Sequence, residues 1–142
     1  MKDIIKTAGV LVFRDQDVLL IRHGEKAGSL NNTYGLPAGR LETGESSIKA
    51  AVRELLEETG LKTTEEHLTR VPGKYTATIE RKKGVKTFCY KTFLCNKYDG
   101  ELKATEETVP EWTNLNELDK LKLLPNVKII IFNALKLKQN NA

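Results

Sequence analysis

The stretch Gly39–Leu61, GRLETGESSIKAAVRELLEETGL, decides how this chain is read. From Ser46 to Thr59 it predicts a helix, with a serine at the start and Gly60 just past the end. At about 100° per residue, Ile48, Val52, Leu55, Leu56 and Thr59 form one stripe, which is expected to pack on a core. Glu54, Glu57 and Glu58 fall on another face, three and four residues apart, where their carboxylates can converge. Like charges at that spacing repel, so the helix is destabilised unless a cation sits between them. A hard divalent ion bound through oxygens is the natural partner. Taken alone, the same face also reads as ordinary solvated acid, the commoner outcome for glutamates on a helix.

The rest of the stretch tips the balance. Gly39, five residues, Glu45, seven residues, Arg53-Glu54-Leu55, one residue, Glu57-Glu58, one residue and Gly60-Leu61 form a fixed pattern. That pattern resembles the Nudix box at every defined position. The resemblance extends upstream through Gly35-Leu36-Pro37-Ala38-Gly39, where Ala38 replaces the glycine more common in the family. It implies a hydrolase that uses Mg²⁺, or Mn²⁺, to cleave a pyrophosphate bond in a nucleoside diphosphate linked to another moiety. It also implies an α/β (α+β) architecture, the Nudix α/β/α sandwich with a mixed, mostly antiparallel β-sheet.

By the same resemblance, Glu54, Glu57 and Glu58 are the metal-binding set, helped by the backbone carbonyl of Ala38. Glu57 and Glu58 are the firmest ligands, and Glu54 either binds metal or orients the attacking water. Arg53 is expected to fix a glutamate by a charge-assisted bond, which makes Arg53, Glu54 and Glu57 the catalytic group. The plainer alternative for Arg53 is a surface pair with Glu57, four residues on, which would contribute little. Gly39 is expected to allow close backbone approach, Glu45 to brace the loop against the helix, and Gly60 to end it. A further acid is expected before the final helices, with Glu106 and Glu107 the candidates and Glu111 behind them.

Around this stretch the chain alternates strand and turn signals. Thr7–Phe13 and Val18–Ile21 read as a hairpin through the polar turn Arg14-Asp15-Gln16-Asp17. Arg22 and Tyr34 are weak candidates for substrate contact, and His23 and Lys26 read equally well as exposed loop charges. After the box helix, Leu61–Arg70 is polar and irregular, with an edge strand expected at its end. Tyr75–Glu80 and Val85–Cys95 read as strands, the second apolar on both faces and therefore an inner strand. Arg81-Lys82-Lys83 reads as a solvated turn. A short strand near Trp112, a short helix capped by Asn116 and a last helix over residues 126–137 complete the order βββαβββαα.

Composition bounds the rest. At 142 residues, one domain is expected. The N-terminus shows no signal-peptide pattern, and no run approaches the roughly 20 apolar residues of a membrane span. Cys89 and Cys95 lie six apart on one predicted strand, too far along it to bridge easily, so both are expected as reduced thiols of a cytoplasmic protein. A net charge of +4 suits a polyanionic small molecule; no nucleic-acid or membrane partner is expected, and the chain reads as a monomer or homodimer. The substrate class stays open between (d)NTPs, ADP-ribose and nucleotide sugars. Pro72 and Tyr75 both fall early of the positions, about 16 residues past the box, that mark two family subtypes. Tyr34, Tyr75, Phe88 and Trp112 are candidates to stack on a base, against the plainer reading of core aromatics. The alternative function is a non-catalytic Nudix-like sensor of nucleotide or ADP-ribose, which the intact set of box acids disfavours.

Overall fold

The computed structural model describes residues 4–24, 32–81, 84–105 and 108–140. Its elements are β1 (Ile4–Leu11), β2 (Phe13–Arg14), β3 (Asp17–His23), β4 (Tyr34–Gly35), β5 (Ala38–Arg40), α1 (Ser47–Thr59), β6 (Leu68–Arg70), β7 (Tyr75–Arg81), β8 (Gly84–Cys95), β9 (Thr108–Asn114) and α2 (Val127–Asn140). Short 3₁₀ turns, Glu65–His67 and Leu115–Lys120, precede β6 and follow β9.

These strands pair into two sheets. The first runs β5-β1-β8-β6, with β7 also on β8; β1 and β8 are parallel from Ile4↔Thr87 to Leu11↔Leu94, and every other pair is antiparallel. The second holds β2-β3-β4 with β9 along the other side of β3, all antiparallel. The expected hairpin is therefore split between sheets. Its rungs are Phe13↔Val18 and Arg14↔Asp17, and β1 before it belongs to the first sheet. Asp15 in the turn takes the left-handed conformation (φ 54°), which Asp tolerates better than most side chains.

Alternation along the inner strands builds a core on each side. Phe93 and Cys95 of β8 join Val10, Leu19, Ala51 and Leu55 in one cluster beneath α1. Leu94, between them, joins Leu11, Leu20, Ile130 and Ile131 in a second cluster beneath α2. Strand β8 is thus covered on both faces, as its apolar run predicts. Both cysteines are free thiols, Cys95 buried and Cys89 half-buried.

Helix α1 follows its boundary signals. Ser46 is the N-cap and its hydroxyl accepts from the Lys49 N–H; Gly60 closes the helix in the left-handed conformation (φ 86°). A Cβ on Gly60 would lie 2.5 Å from the Glu101 carbonyl oxygen, so the turn also needs the missing side chain. The expected stripe is corrected at Leu56, which is 46% exposed, while Ala50 and Ala51 are buried instead. Ala50, Ala51, Leu55 and Thr59 are the residues that α1 buries, with Ile48 and Val52 packed against the same core.

Three further boundaries shift. The cap of the segment after β9 is Asn114, whose side chain accepts from the Asn116 N–H, so the expected cap Asn116 lies inside the turn. Strand β9 starts at Thr108 and runs through Pro110, which it can hold because it lies at the edge of its sheet. The last helix continues to Asn140, past the expected end near 137. Among the described residues, no helix is long and apolar enough to cross a membrane.

Candidate active site

The site is made where α1 crosses the edge strand β5. The Val10 N–H donates to the Pro37 carbonyl (2.9 Å) and the Leu41 N–H to that of Lys6 (3.0 Å). These rungs alternate with Ala38, whose partner is Gly9, so the N–H and carbonyl of Ala38 both point away from β1. The N–H donates to Glu58 Oε1 at 2.7 Å, and the carbonyl lies on that same side of the strand. Glu54, one turn earlier on α1, sits directly on the backbone of Gly39. A Cβ there would be 2.1 Å from the Glu54 carboxyl carbon and 2.3 Å from each of its oxygens. Glycine is therefore required at 39 by close approach.

Arg53 ties the carboxylates together. Its Nε and Nη2 donate to the two oxygens of Glu45 (2.8 and 2.7 Å), a bidentate pair. Its Nη1 donates to Glu54 Oε1 (2.7 Å) and Glu57 Oε2 (3.1 Å), and Nη2 also reaches the Arg40 carbonyl (2.9 Å). Glu45 in turn accepts from the Glu42 N–H at 3.0 Å, fixing the loop before the helix. The bracing expected of Glu45 and the Arg53–Glu57 pair thus belong to one network. Glu54 is 12% exposed within it and Glu57 is 54% exposed, so Glu57 is the acid on the solvent side.

The electrostatics follow from this packing. The Arg53 guanidinium, with the Glu42 N–H, draws the Glu45 carboxyl down to about 2. The Arg53 pKa is itself raised, chiefly by the bonds to Glu45. Burial raises Glu54, against the pull of Arg53. Burial also pushes Glu58 up to about 8; the Ala38 N–H opposes the shift, and Glu54 and Glu57 add to it.

Among the described residues, no three acid, imidazole or thiol groups already stand together as a closed metal cluster. Glu54 and Glu57 turn to Arg53, and Glu58 turns to the Ala38 N–H. The donor chemistry nonetheless suits a hard divalent cation. Three carboxylates and a carbonyl share one helix–strand junction, and among the described residues no cationic side chain pairs with Glu58.

From this junction a cavity of about 220 Å³ extends between the sheets. Ala38, Gly39, Arg40 and Glu58 line it on the box side, together with Phe88, Tyr90 and Thr92 of β8, Leu124 before α2, and Val127 and Ile130 in its first turn. The Phe88 and Tyr90 rings stack at 6.3 Å and 28°, and the Arg40 guanidinium lies 5.9 Å from the Phe88 ring centre.

The tertiary structure brings Ala38, Gly39, Glu45, Arg53, Glu54, Glu57 and Glu58 together, with Gly60 ending their helix. Arg22 and Tyr34 face each other across β3 and β4, but neither lines the cavity. Arg22 donates to Glu111 (3.0 Å), which raises its pKa and occupies that acid; Tyr34 packs on the α2-side core. Tyr75 also packs there and accepts from Asn133, while Trp112 lies on the α1 side with Arg14 over its ring at 4.3 Å. Of the candidate stacking aromatics, Phe88 reaches the cavity. Glu106, Glu107, Lys26, Lys82 and Lys83 lie outside the described residues. Sequence reading passed over Arg40, Tyr90 and Thr92 as site residues. The alternation 88-90-92 along β8 was visible, but not that α2 leaves this part of the face open.

Comparison with known proteins agrees with this geometry. The NUDIX domain family model matches residues 4–134. A Caenorhabditis elegans protein named as a nudix hydrolase is 32% identical over 123 residues, which is 82% of this chain and 30% of that protein. This chain therefore spans less than a third of that relative's length. A MutT-like protein of Streptomyces ambofaciens is 31% identical over 117 residues, 82% of this chain and 67% of its own. The fold superposes on a MutT NUDIX hydrolase from Burkholderia pseudomallei with a TM-score of 0.78 at 22% identity, covering 93% of this chain and 98% of the other. With a match that runs from β1 into α2 and takes in all of Gly39–Leu61, this chain belongs to the Nudix family.

Proposed function

We propose that this protein hydrolyses a pyrophosphate bond in a nucleoside diphosphate linked to another moiety, with Mg²⁺ or Mn²⁺ as cofactor. The observation that carries the reading is the seating of Glu54 and Glu58 on the Gly39 and Ala38 backbone at the end of a cleft of about 220 Å³, with Glu57 beside them. Glu57, Glu58 and the Ala38 carbonyl are the groups to hold the cation. When bound, such an ion neutralises charge on phosphate oxygens and acidifies water. Arg53 holds Glu54 and Glu57 from one nitrogen, so both carboxylates keep a fixed orientation. Glu54 has Oε1 bonded to Arg53, and Oε2 is the oxygen to orient a water or accept its proton. Its upward-shifted pKa suits that role. The substrate is a soluble nucleotide, and the free thiols fit a reducing, cytoplasmic setting.

The test is a panel of NTPs, dNTPs, nucleotide sugars, ADP-ribose and dinucleoside polyphosphates, each with Mg²⁺ or Mn²⁺. Glu58→Gln keeps the side chain's size and an oxygen to accept the Ala38 N–H, so the fold is expected to survive while kcat falls at least about 100-fold. No hydrolysis by the parent protein, or equal hydrolysis by the variant, would defeat this reading.

A further inference from the structure

Helix α2 buries Val127, Ile130, Ile131 and Ala134 against the core, yet its outward face is not polar throughout. Ile129 is 52% exposed and Phe132 47%, and at three residues apart they share one face. Lys136, one turn further on, is also exposed and ends the apolar stripe. Beside Ile129, where α2 meets the segment that leads into it, lies a groove lined by Leu118, Leu121, Leu123 and Leu124. Single exposed apolar side chains are ordinary, but an apolar ridge next to an apolar groove is a contiguous patch, and such patches mark docking surfaces.

The charges at the groove indicate what docks there. Lys128 donates to Asp119, both line the groove, and the Lys128 ammonium lies 6.0 Å from the Phe132 ring centre. Lys120 pairs with Glu117 (3.2 Å) on the adjoining 3₁₀ turn. The acid and base of the groove thus already neutralise each other, and an anionic membrane or an acidic peptide would have to break that pair to use Lys128. A second copy of this chain has no such difficulty. In a two-fold contact one patch meets itself, so it must supply both ridge and groove, both acid and base. This patch does: Ile129 and Phe132 are the ridge, the leucines the groove, and Lys128 and Asp119 the charges to exchange.

We propose that this face of α2 docks on a second copy of the chain about a two-fold axis. Ile129 and Phe132 of each copy enter the groove of the other, and Lys128 of each reaches the partner's Asp119. Leu124 lines both this groove and the cavity that Glu58 lines, so the contact also holds a residue of that cavity in place. The contact does not depend on the hydrolase reading.

Sedimentation equilibrium from about 1 to 200 µM is expected to show a monomer–dimer equilibrium, which Ile129→Glu or Phe132→Glu weakens at least about 10-fold. Both side chains are half exposed, so each variant keeps the circular dichroism and melting temperature of the parent monomer. Leu56→Glu, at a comparably exposed leucine on α1, leaves the dimer intact. Lys128→Glu and Asp119→Lys test the two-fold itself. Each alone weakens self-association by placing like charges together, but mixed in equal amounts the two variants pair, because every contact across the axis again joins opposite charges. A parent that stays monomeric throughout, a dimer untouched by Ile129→Glu and Phe132→Glu, or charge variants that do not pair on mixing would overturn the proposal. Co-sedimentation with phosphatidylserine vesicles covers the other occupant: capture of the parent that Ile129→Glu abolishes would assign the face to a membrane and overturn it as well.

Discussion

Gly39 and Glu54 show how little freedom the site leaves to single residues. The carboxylate occupies the space a side chain at 39 would need, so each residue defines the other's position. Gly39→Ala must displace either the glutamate or the edge strand. We expect it to cost about 1–3 kcal/mol of stability by overpacking and to lower kcat as well, measured by urea unfolding and by turnover. Retention of both at the parent values would mean that Glu54 is not seated on Gly39. Neighbouring leucines on the same helix give a second contrast. Leu55 is fully buried and Leu56 is 46% exposed. Leu55→Ala should lose about 2–5 kcal/mol and Leu56→Ala no more than about 0.5 kcal/mol. A comparable loss at Leu56 would restore the stripe that simple helical periodicity predicts.

Helix α1 and the loop before it behave as one element because Arg53 and Glu45 fasten them. The Glu45 carboxyl, ordinarily near 4.5, lies at about 2 when bonded to Arg53, and it returns to the ordinary value on unfolding. Its stabilisation is therefore complete above pH 4.5 and is lost as the pH falls toward 2. Glu45→Gln should be less stable than the parent at neutral pH, and the gap should close across that acid window, followed by circular dichroism. A gap that persisted at pH 2 would assign the effect to shape and not to charge. Much of this element could be read in advance. Ser46, Gly60 and the spacing of the acids are local signals, acting within one or two turns of the chain. The short elements were less legible: Asn114 and Asn116 are equivalent caps by composition, and the register of β9 on β3 chose between them.

Across the whole molecule, β8 is the strand that both cores share. Its odd residues feed the core under α1 and its even residues face α2, so one strand both supports the carboxylate helix and walls the cavity. Sequence alone carried the family, the helix, its caps and the acids that sit on it, because each of these is a matter of residue type and short-range spacing. It also carried the burial of β8 on both faces, since apolar alternation is periodic. What only the tertiary structure decided was which distant residues meet. It turned Arg22 to Glu111 and left His23, Tyr90 and Thr92 on the cavity wall, and it set Ala38 between hydrogen-bonded rungs so that its N–H meets Glu58. Those outcomes depend on strand register and on the packing of α1 and α2, contacts between residues far apart in the chain that no local pattern encodes.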